Sequence, residues 1–371
     1  MIPVCEPLLG EKELEYLTNC VKSNWISSRG SYIDEFEQKF ASYCGSKYGV
    51  TTTSGTTALH LALVTKGIGK GDEVIVPTLT MSASLYPIVY TGATPVLVDS
   101  EPVTWNIDVG KIEARITGKT RAIMPVHLYG HPCDMDAIMA LARKHHLYVV
   151  EDAAEVHGAL YKGRKAGAIG DTGCFSFYAN KIITTGEGGM VVTDNEELAT
   201  RARILKDQAH SPQKHFFHEM IGFNYRMTNL QAALGVAQLE KIERYIEMRR
   251  KNAADYNRRL KEIPGITLPA EREWARNVYW MYAILIQDEF GMTRDELRAK
   301  LWEKGIETRD FFIPMHYQPC FHKLGLFRGE SYPVAEELGR RGMFLPSSTG
   351  LTSEQKEYIC DCIQEIYRSR H

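Results

Sequence analysis

From residue 48 to residue 193 the chain repeats one pattern, a short β-branched or apolar run followed by a longer stretch with helical spacing. The runs are 48–53 (YGVTTT), 73–77 (EVIVP), 95–99 (PVLVD), 121–126 (RAIMPV), 147–152 (LYVVED), 173–177 (GCFSF) and 189–193 (GMVVT). Several show no alternation of apolar and polar residues, as expected of strands covered on both faces, and the intervening helices favour a largely parallel sheet. The pattern predicts an α/β domain built on a seven-stranded, mostly parallel sheet. Ligands of such sheets bind beyond the carboxyl ends of the strands, which directs attention to residues 54–57, 78–84, 127–131, 152–157 and 176–186.

The flanking segments have helical periodicity. Residues 11–22 place Leu14, Leu17 and Val21 on one face, and residues 31–44 do the same with Tyr32, Phe36, Phe40 and Tyr43. Between them, residues 24–30 (NWISSRG) are too polar for a helix; they suit a loop anchored by a buried Trp25 or a loop that touches a ligand. Asp134 is a plausible N-cap for a helix reaching about residue 146. Thr228 and Gln231 form a possible capping box ahead of Leu230, Leu234, Leu239 and Ile242, and helical character continues to about residue 262, roughly 50 Å at 1.5 Å per residue. Residues 279–286 suit a strand. Thr293 with Glu296 and Thr352 with Gln355 cap two further helices, the last with Tyr358, Ile359, Cys362, Ile363 and Ile366 facing inward. This organisation divides the chain into a large domain over residues 1–240 and a smaller α+β domain over residues 241–371, joined by one long helix from about 228 to 262.

Composition narrows the function classes. A length of 371 residues exceeds one ordinary core, which agrees with two domains. Lys plus Arg total 44 against 46 Asp plus Glu, so no general attraction to nucleic acid or anionic membrane is implied, and an anionic ligand needs a local site. The 8 cysteines are scattered without a CxxC pair and suit reduced, buried thiols in a cytoplasmic protein. Neither a signal peptide nor a membrane-spanning run of 18 apolar residues is expected.

Three places carry candidate chemistry. Lys181 stands in a loop between two strand runs, close to Ser176, Asn180, Thr184 and Thr185, and is followed by Gly186-Glu187-Gly188-Gly189, where backbone can approach a ligand. Taken alone, such a lysine is a solvated surface charge. Ser54-Gly55-Thr56-Thr57 opens a helix directly after a strand, so its free N–H groups suit an anion, although Ser and Thr also cap helices without any ligand. Asp152 falls at the carboxyl end of a strand, where a carboxylate needs a cation or several donors unless it caps a helix. Together the three match what pyridoxal phosphate requires: a Schiff-base lysine, a carboxylate that keeps the pyridine nitrogen protonated, and a phosphate cradle to which Ser176 can contribute. No GxGxxG follows the first strand, which disfavours a dehydrogenase.

The ordered motifs SGTTALHLAL (54–63), GDEVIVPTLT (71–80), GATPVLVD (92–99), PVHLYG (125–130), EDAAEVHGA (151–159), FSFYANKIITTGEGGM (175–190) and GFNYRMTNLQAALG (222–235) resemble the DegT/DnrJ/EryC1/StrS sugar-nucleotide aminotransferases across essentially the whole chain. The resemblance implies a fold-type I, aspartate aminotransferase-like enzyme dependent on pyridoxal phosphate. Lys181 would be the Schiff-base lysine and Asp152 the partner of the pyridine nitrogen. Glu155 would lie by the phenolic oxygen, where many relatives have Gln. Gly55, Thr56 and Ser176 would hold the phosphate, helped by Asn224 from the second subunit of a homodimer with shared active sites. A dehydratase branch has His in place of the lysine, so Lys181 implies transamination. The loop at 25–30, Glu155 and HLYGHPCDMD (127–136) are most similar to the branch that aminates C4 of GDP-4-keto-6-deoxymannose with L-glutamate as donor. UDP- or dTDP-4-keto-6-deoxyglucose is the nearest alternative substrate, and a non-catalytic sugar-nucleotide or cofactor sensor the remoter one. By the same resemblance Trp25, Ser27, Ser28 and His316 border the sugar, His316 equally well being a packed core histidine. Three features depart from the family pattern: Met81 where relatives have a cofactor-stacking aromatic ring, Tyr178-Ala179 ahead of Asn180, and a histidine-rich segment at 209–218.

Overall fold

The computed structural model describes residues 1–211, 213–214 and 216–370. Seven strands form the main sheet: β1 (Tyr48–Thr52), β2 (Glu73–Pro77), β3 (Thr94–Val98), β4 (Thr120–Ile123), β5 (Tyr148–Asp152), β6 (Thr172–Ser176) and β7 (Gly189–Thr193). Their order is β1-β7-β6-β5-β4-β2-β3, and β7 alone runs against its neighbours. Val74, Val76, Val150 and Phe175 are fully buried, which is why these runs carry no polar alternate face. Because β7 is reversed, the chain leaves β6 and enters β7 at the same edge of the sheet, and the loop between them holds Lys181.

Helix α1 (Glu11–Ser23) and helix α2 (Ser31–Cys44) precede the sheet. α2 buries Phe36 and Phe40 as its spacing predicts, but α1 turns the other way. Leu14 is 69% and Val21 62% exposed, whereas Glu13 and Cys20 point inward. The cause is a set of partners for the Glu13 carboxylate: the Lys241 ammonium at 2.8 Å, the Gln238 amide at 2.6 Å and the Gly10 N–H at 2.9 Å. A carboxylate so satisfied is buried at little cost. Trp25 is 55% exposed rather than a buried anchor; Asn229 holds its loop, its side-chain amide donating to the Trp25 carbonyl (2.7 Å) and its backbone N–H to the Ser27 carbonyl (2.6 Å).

The single helix expected from 228 to 262 is two helices, α3 (Asn229–Leu239) and α4 (Ile242–Leu260). Lys241 breaks the run at φ −113° and ψ 1°, held there by its ion pair with Glu13. The break lets α3 lie against α1 and α2 while α4 packs on the last helix, α5 (Ser353–Arg368). A second core forms around Tyr256, Leu260, Ile284, Phe290, Leu301 and Ile363. It includes a four-stranded antiparallel sheet of β8 (Ile266–Thr267), β9 (Tyr282–Ile286), β10 (Arg309–Asp310) and β11 (Gly342–Leu345), ordered β8-β9-β11-β10. Residues 2–6 join this unit, with Ile2 bridged to Ile306 and the Val4 N–H donating to Glu307. The capping boxes at Thr228, Thr293 and Thr352 all form. On α5, Tyr358 is 46% exposed and Lys356 is buried in its place; the Tyr358 hydroxyl reaches the Lys304 carbonyl at 2.9 Å.

Candidate active site

Lys181 is drawn inward by its own sequence. Ile182 and Ile183 follow it into the core, and the Thr184 hydroxyl and Thr185 N–H both donate to the Phe177 carbonyl at 2.9 Å. The lysine side chain is only 9% exposed, with Nζ 3.6 Å from Glu155 Oε1 and 3.7 Å from the centre of the Trp280 ring. Burial lowers its pKa, and the Glu155 and Asp152 carboxylates oppose that shift. The lysine is thus a desolvated amine between a carboxylate and an aromatic face, not a surface charge.

Asp152 ends β5 and is buried. The Ser84 hydroxyl donates to its Oδ2 at 2.7 Å and the Ala154 N–H to its Oδ1 at 3.2 Å. Thr80 completes the relay, its hydroxyl 2.7 Å from that of Ser84. Burial nonetheless raises the Asp152 pKa, so the carboxylate lacks a full counter-ion and suits a cationic partner. Glu155 Oε2 accepts the Tyr129 N–H at 2.8 Å. Burial pushes its pKa up to about 7, against the pull of Lys181, which leaves a carboxyl that exchanges a proton near neutrality. His157 is wedged among Phe40, Phe175 and Phe177; burial, aided by Lys181, pushes it down to about 3, so it stays neutral.

The anion loop lies beside these groups. Ser54 caps the helix Gly55–Lys66, and its side chain accepts the Thr57 N–H. A Cβ on Gly55 would stand 2.8 Å from the Ser176 Cβ, so only glycine lets the start of this helix and the end of β6 meet. This contact brings the N–H groups at the start of the helix beside the Ser176 hydroxyl.

The remaining expected site residues divide. Met81 caps the helix Ser82–Tyr90, three residues before Ser84, and is 51% exposed. Among the described residues no hydrogen bond joins Trp25, Ser27 or Ser28 to Lys181, Asp152 or Glu155; Trp25 and Ser27 face solvent. Asn224 is exposed and accepts from Arg226 at 3.0 Å. His316 is buried with both nitrogens engaged, Nδ1 with the Thr78 hydroxyl (2.9 Å) and Nε2 with Glu336 (3.1 Å). Both ring nitrogens therefore have protein partners. In the histidine-rich segment, His210 and His218 pair in a short bridge, while His215 lies outside the described residues. Sequence reasoning missed Trp280, Ser84 and the Tyr129 N–H. Trp280 sits in an aromatic run, VYWMY, that reads as core, and nothing in that run points to a lysine 99 positions earlier.

Comparison with known proteins adds an independent line. The model of the DegT/DnrJ/EryC1/StrS aminotransferase family matches residues 7–364. GDP-perosamine synthase of Escherichia coli O157:H7 is 47% identical, covering 100% of this chain and 99% of its own. The protein of the same name from Caulobacter vibrioides is 46% identical over 98% of both chains. Among solved structures, the PLP-form of the putative sugar aminotransferase Spr1654 from Streptococcus pneumoniae superposes with a TM-score of 0.94 at 28% identity, covering 100% of this chain and 99% of that one.

Proposed function

Because the chain belongs to the DegT/DnrJ/EryC1/StrS aminotransferase family, we propose that it moves an amino group from L-glutamate to C4 of GDP-4-keto-6-deoxy-D-mannose, giving GDP-perosamine. The observation that carries the chemistry is the buried Lys181, held 3.6 Å from Glu155 on the sheet edge where Asp152 ends β5. The choice of sugar rests on the full-length likeness to two GDP-perosamine synthases.

The residues fit pyridoxal phosphate. Asp152, buried and short of a counter-ion, suits a protonated ring nitrogen, and the Gly55–Ser176 contact brings the start of that helix beside the Ser176 hydroxyl, so Gly55, Thr56 and Ser176 would supply the donors for a phosphate. When bound, this cofactor supplies an electron sink for a proton leaving the carbon that bears the amine. Lys181 would accept that proton and return it, work that suits an amine whose pKa is lowered by burial. Glu155 would share a proton with the phenolic oxygen, and Met81 would cover the open ring face.

We place the active enzyme in the cytoplasm as a homodimer. Leu9, Leu14, Val21, Trp25 and Ile26 are all about half exposed or more, an apolar face that a second copy would cover. In that arrangement Asn224 of one copy would reach the phosphate of the other, and Trp25, Ser27 and Ser28 would border the sugar.

Lys181→Ala tests the chemistry. Purified variant should lose both the visible absorbance of attached cofactor and turnover, by about 1,000-fold or more; turnover equal to the parent would end the proposal. Competing the GDP-, UDP- and dTDP-linked 4-keto-6-deoxysugars in one assay tests the sugar. Preference for the UDP or dTDP compound would keep the transamination and overturn the GDP assignment.

A further inference from the structure

We propose that Trp280 is the positioning residue of Lys181: its ring face holds the lysine Nζ while its indole N–H holds the backbone just before the lysine. Nζ stands 3.7 Å from the ring centroid, well inside the range in which an aromatic quadrupole attracts an ammonium. The indole N–H donates to the Asn180 carbonyl at 2.9 Å. One side chain thus grips both ends of the lysine, its charge and its peptide.

The tryptophan is itself held on every side. It is 4% exposed, and its carbonyl accepts the Arg249 guanidinium at 2.6 Å. Arg249, buried on α4, also donates to the Ser347 carbonyl and the Thr349 hydroxyl, both at 3.0 Å. On the other side the Val278 N–H donates to the Gly130 carbonyl, and a Cβ on Gly130 (φ 112°) would come within 2.7 Å of the Trp280 nitrogen. Gly130 follows Tyr129, whose N–H binds Glu155. The tryptophan therefore ties the lysine to the second core through Arg249 and to the facing carboxyl through residues 129–130. Core filling alone requires neither contact with the lysine.

The groups that meet Lys181 are Glu155 at 3.6 Å, Asp152 and His157 from β5 and its extension, and Cys5, whose thiol donates to the same Asn180 carbonyl at 3.3 Å. The Trp280 ring, unlike the carboxylates, favours the ammonium without carrying a charge. Without it the amine should release its proton at lower pH and wander from the geometry that serves both half-reactions.

The inference rests on Lys181 being the cofactor lysine, so its test is read first on the full chain freed of cofactor. The pH dependence of acetylation of Lys181 by acetic anhydride, followed by peptide mass spectrometry, gives the amine midpoint. Trp280→Met, which fills space without a ring, should lower that midpoint by about 1 pH unit, and Trp280→Phe should restore most of the loss. In loaded enzyme kcat should fall about 10-fold for Trp280→Met with KM for glutamate changed less than about 2-fold. If Trp280→Met does not fold, the smaller shift of Trp280→Phe, about 0.3 unit, decides. A midpoint equal to the parent's in every variant that folds overturns the proposal. Turnover in Lys181→Ala would instead overturn the function and leave the midpoint standing.

Discussion

Lys181 and Lys356 are both buried lysines, 9% and 5% exposed at the side chain, and they are built for opposite ends. Lys356, on α5, is firmly bonded: its ammonium lies 2.6 Å from Asp255 and 3.0 Å from the Asn252 side-chain oxygen, both on α4. It fastens one helix to another. Lys181 meets its carboxylate only at 3.6 Å, beyond hydrogen-bond length, and spends its remaining surface on a ring face. Burial alone does not mark a reactive lysine. What sets Lys181 apart is burial without a hydrogen-bonded carboxylate, because an ammonium bonded to one gives up its proton only by breaking that pair.

Three substitutions test this division. Asp152→Asn should have the largest effect, lowering kcat on the order of 100-fold with the melting temperature nearly unchanged, since it removes a charge from the reacting side of the crevice; steady-state kinetics beside a thermal melt checks both. Lys356→Met should do the reverse, costing about 1 to 2 kcal/mol in urea unfolding by leaving the buried Asn252 side-chain oxygen without its donor while Asp255 keeps Arg258, with kcat per folded molecule intact. A fall in kcat there would erase the distinction between the two lysines. Glu155→Gln should have the smallest effect and only in one pH window. Its carboxyl titrates at about 7 when folded against 4.5 when free, so the folded chain binds that proton more tightly. The stability this provides is full below pH 4.5 and is lost as pH rises through 7. Urea unfolding of cofactor-free chain should weaken by about 2 kcal/mol from pH 5 to pH 7, and Glu155→Gln should flatten that slope.

The sheet was legible because strands buried on both faces need continuous apolar runs, and all seven appear within a residue or two of their expected ends, apart from a β4 that stops at Ile123. Asp152 and the Gly55 loop were noticed because each stands at a strand end or helix start, and Lys181 because it lies in the glycine-bounded loop between two strands. What hid from the sequence depended on distant partners. The inward face of α1 was misjudged because the partners of Glu13 lie 225 and 228 residues away, and without them Leu14 and Val21 are the natural inward choice. The break at Lys241 carries neither Pro nor Gly and follows from the same ion pair. Trp280 read as core, which it is, and only the folded chain brings its other face to the lysine.

The stretch at residues 2–6 has a consequence in time. The Val4 N–H waits for Glu307, 303 positions on, and the Glu6 N–H for Ser348, 342 positions on, while Cys5 between them touches the Asn180 carbonyl beside the lysine. Contacts that span so much chain carry the largest loop-closure cost and form late. The main sheet has all its strands once residue 193 is made, but the wall of the crevice formed by Cys5, Trp280 and Arg249 cannot assemble until the segment around Ser348 emerges. Until that wall assembles, the lysine stays open to water.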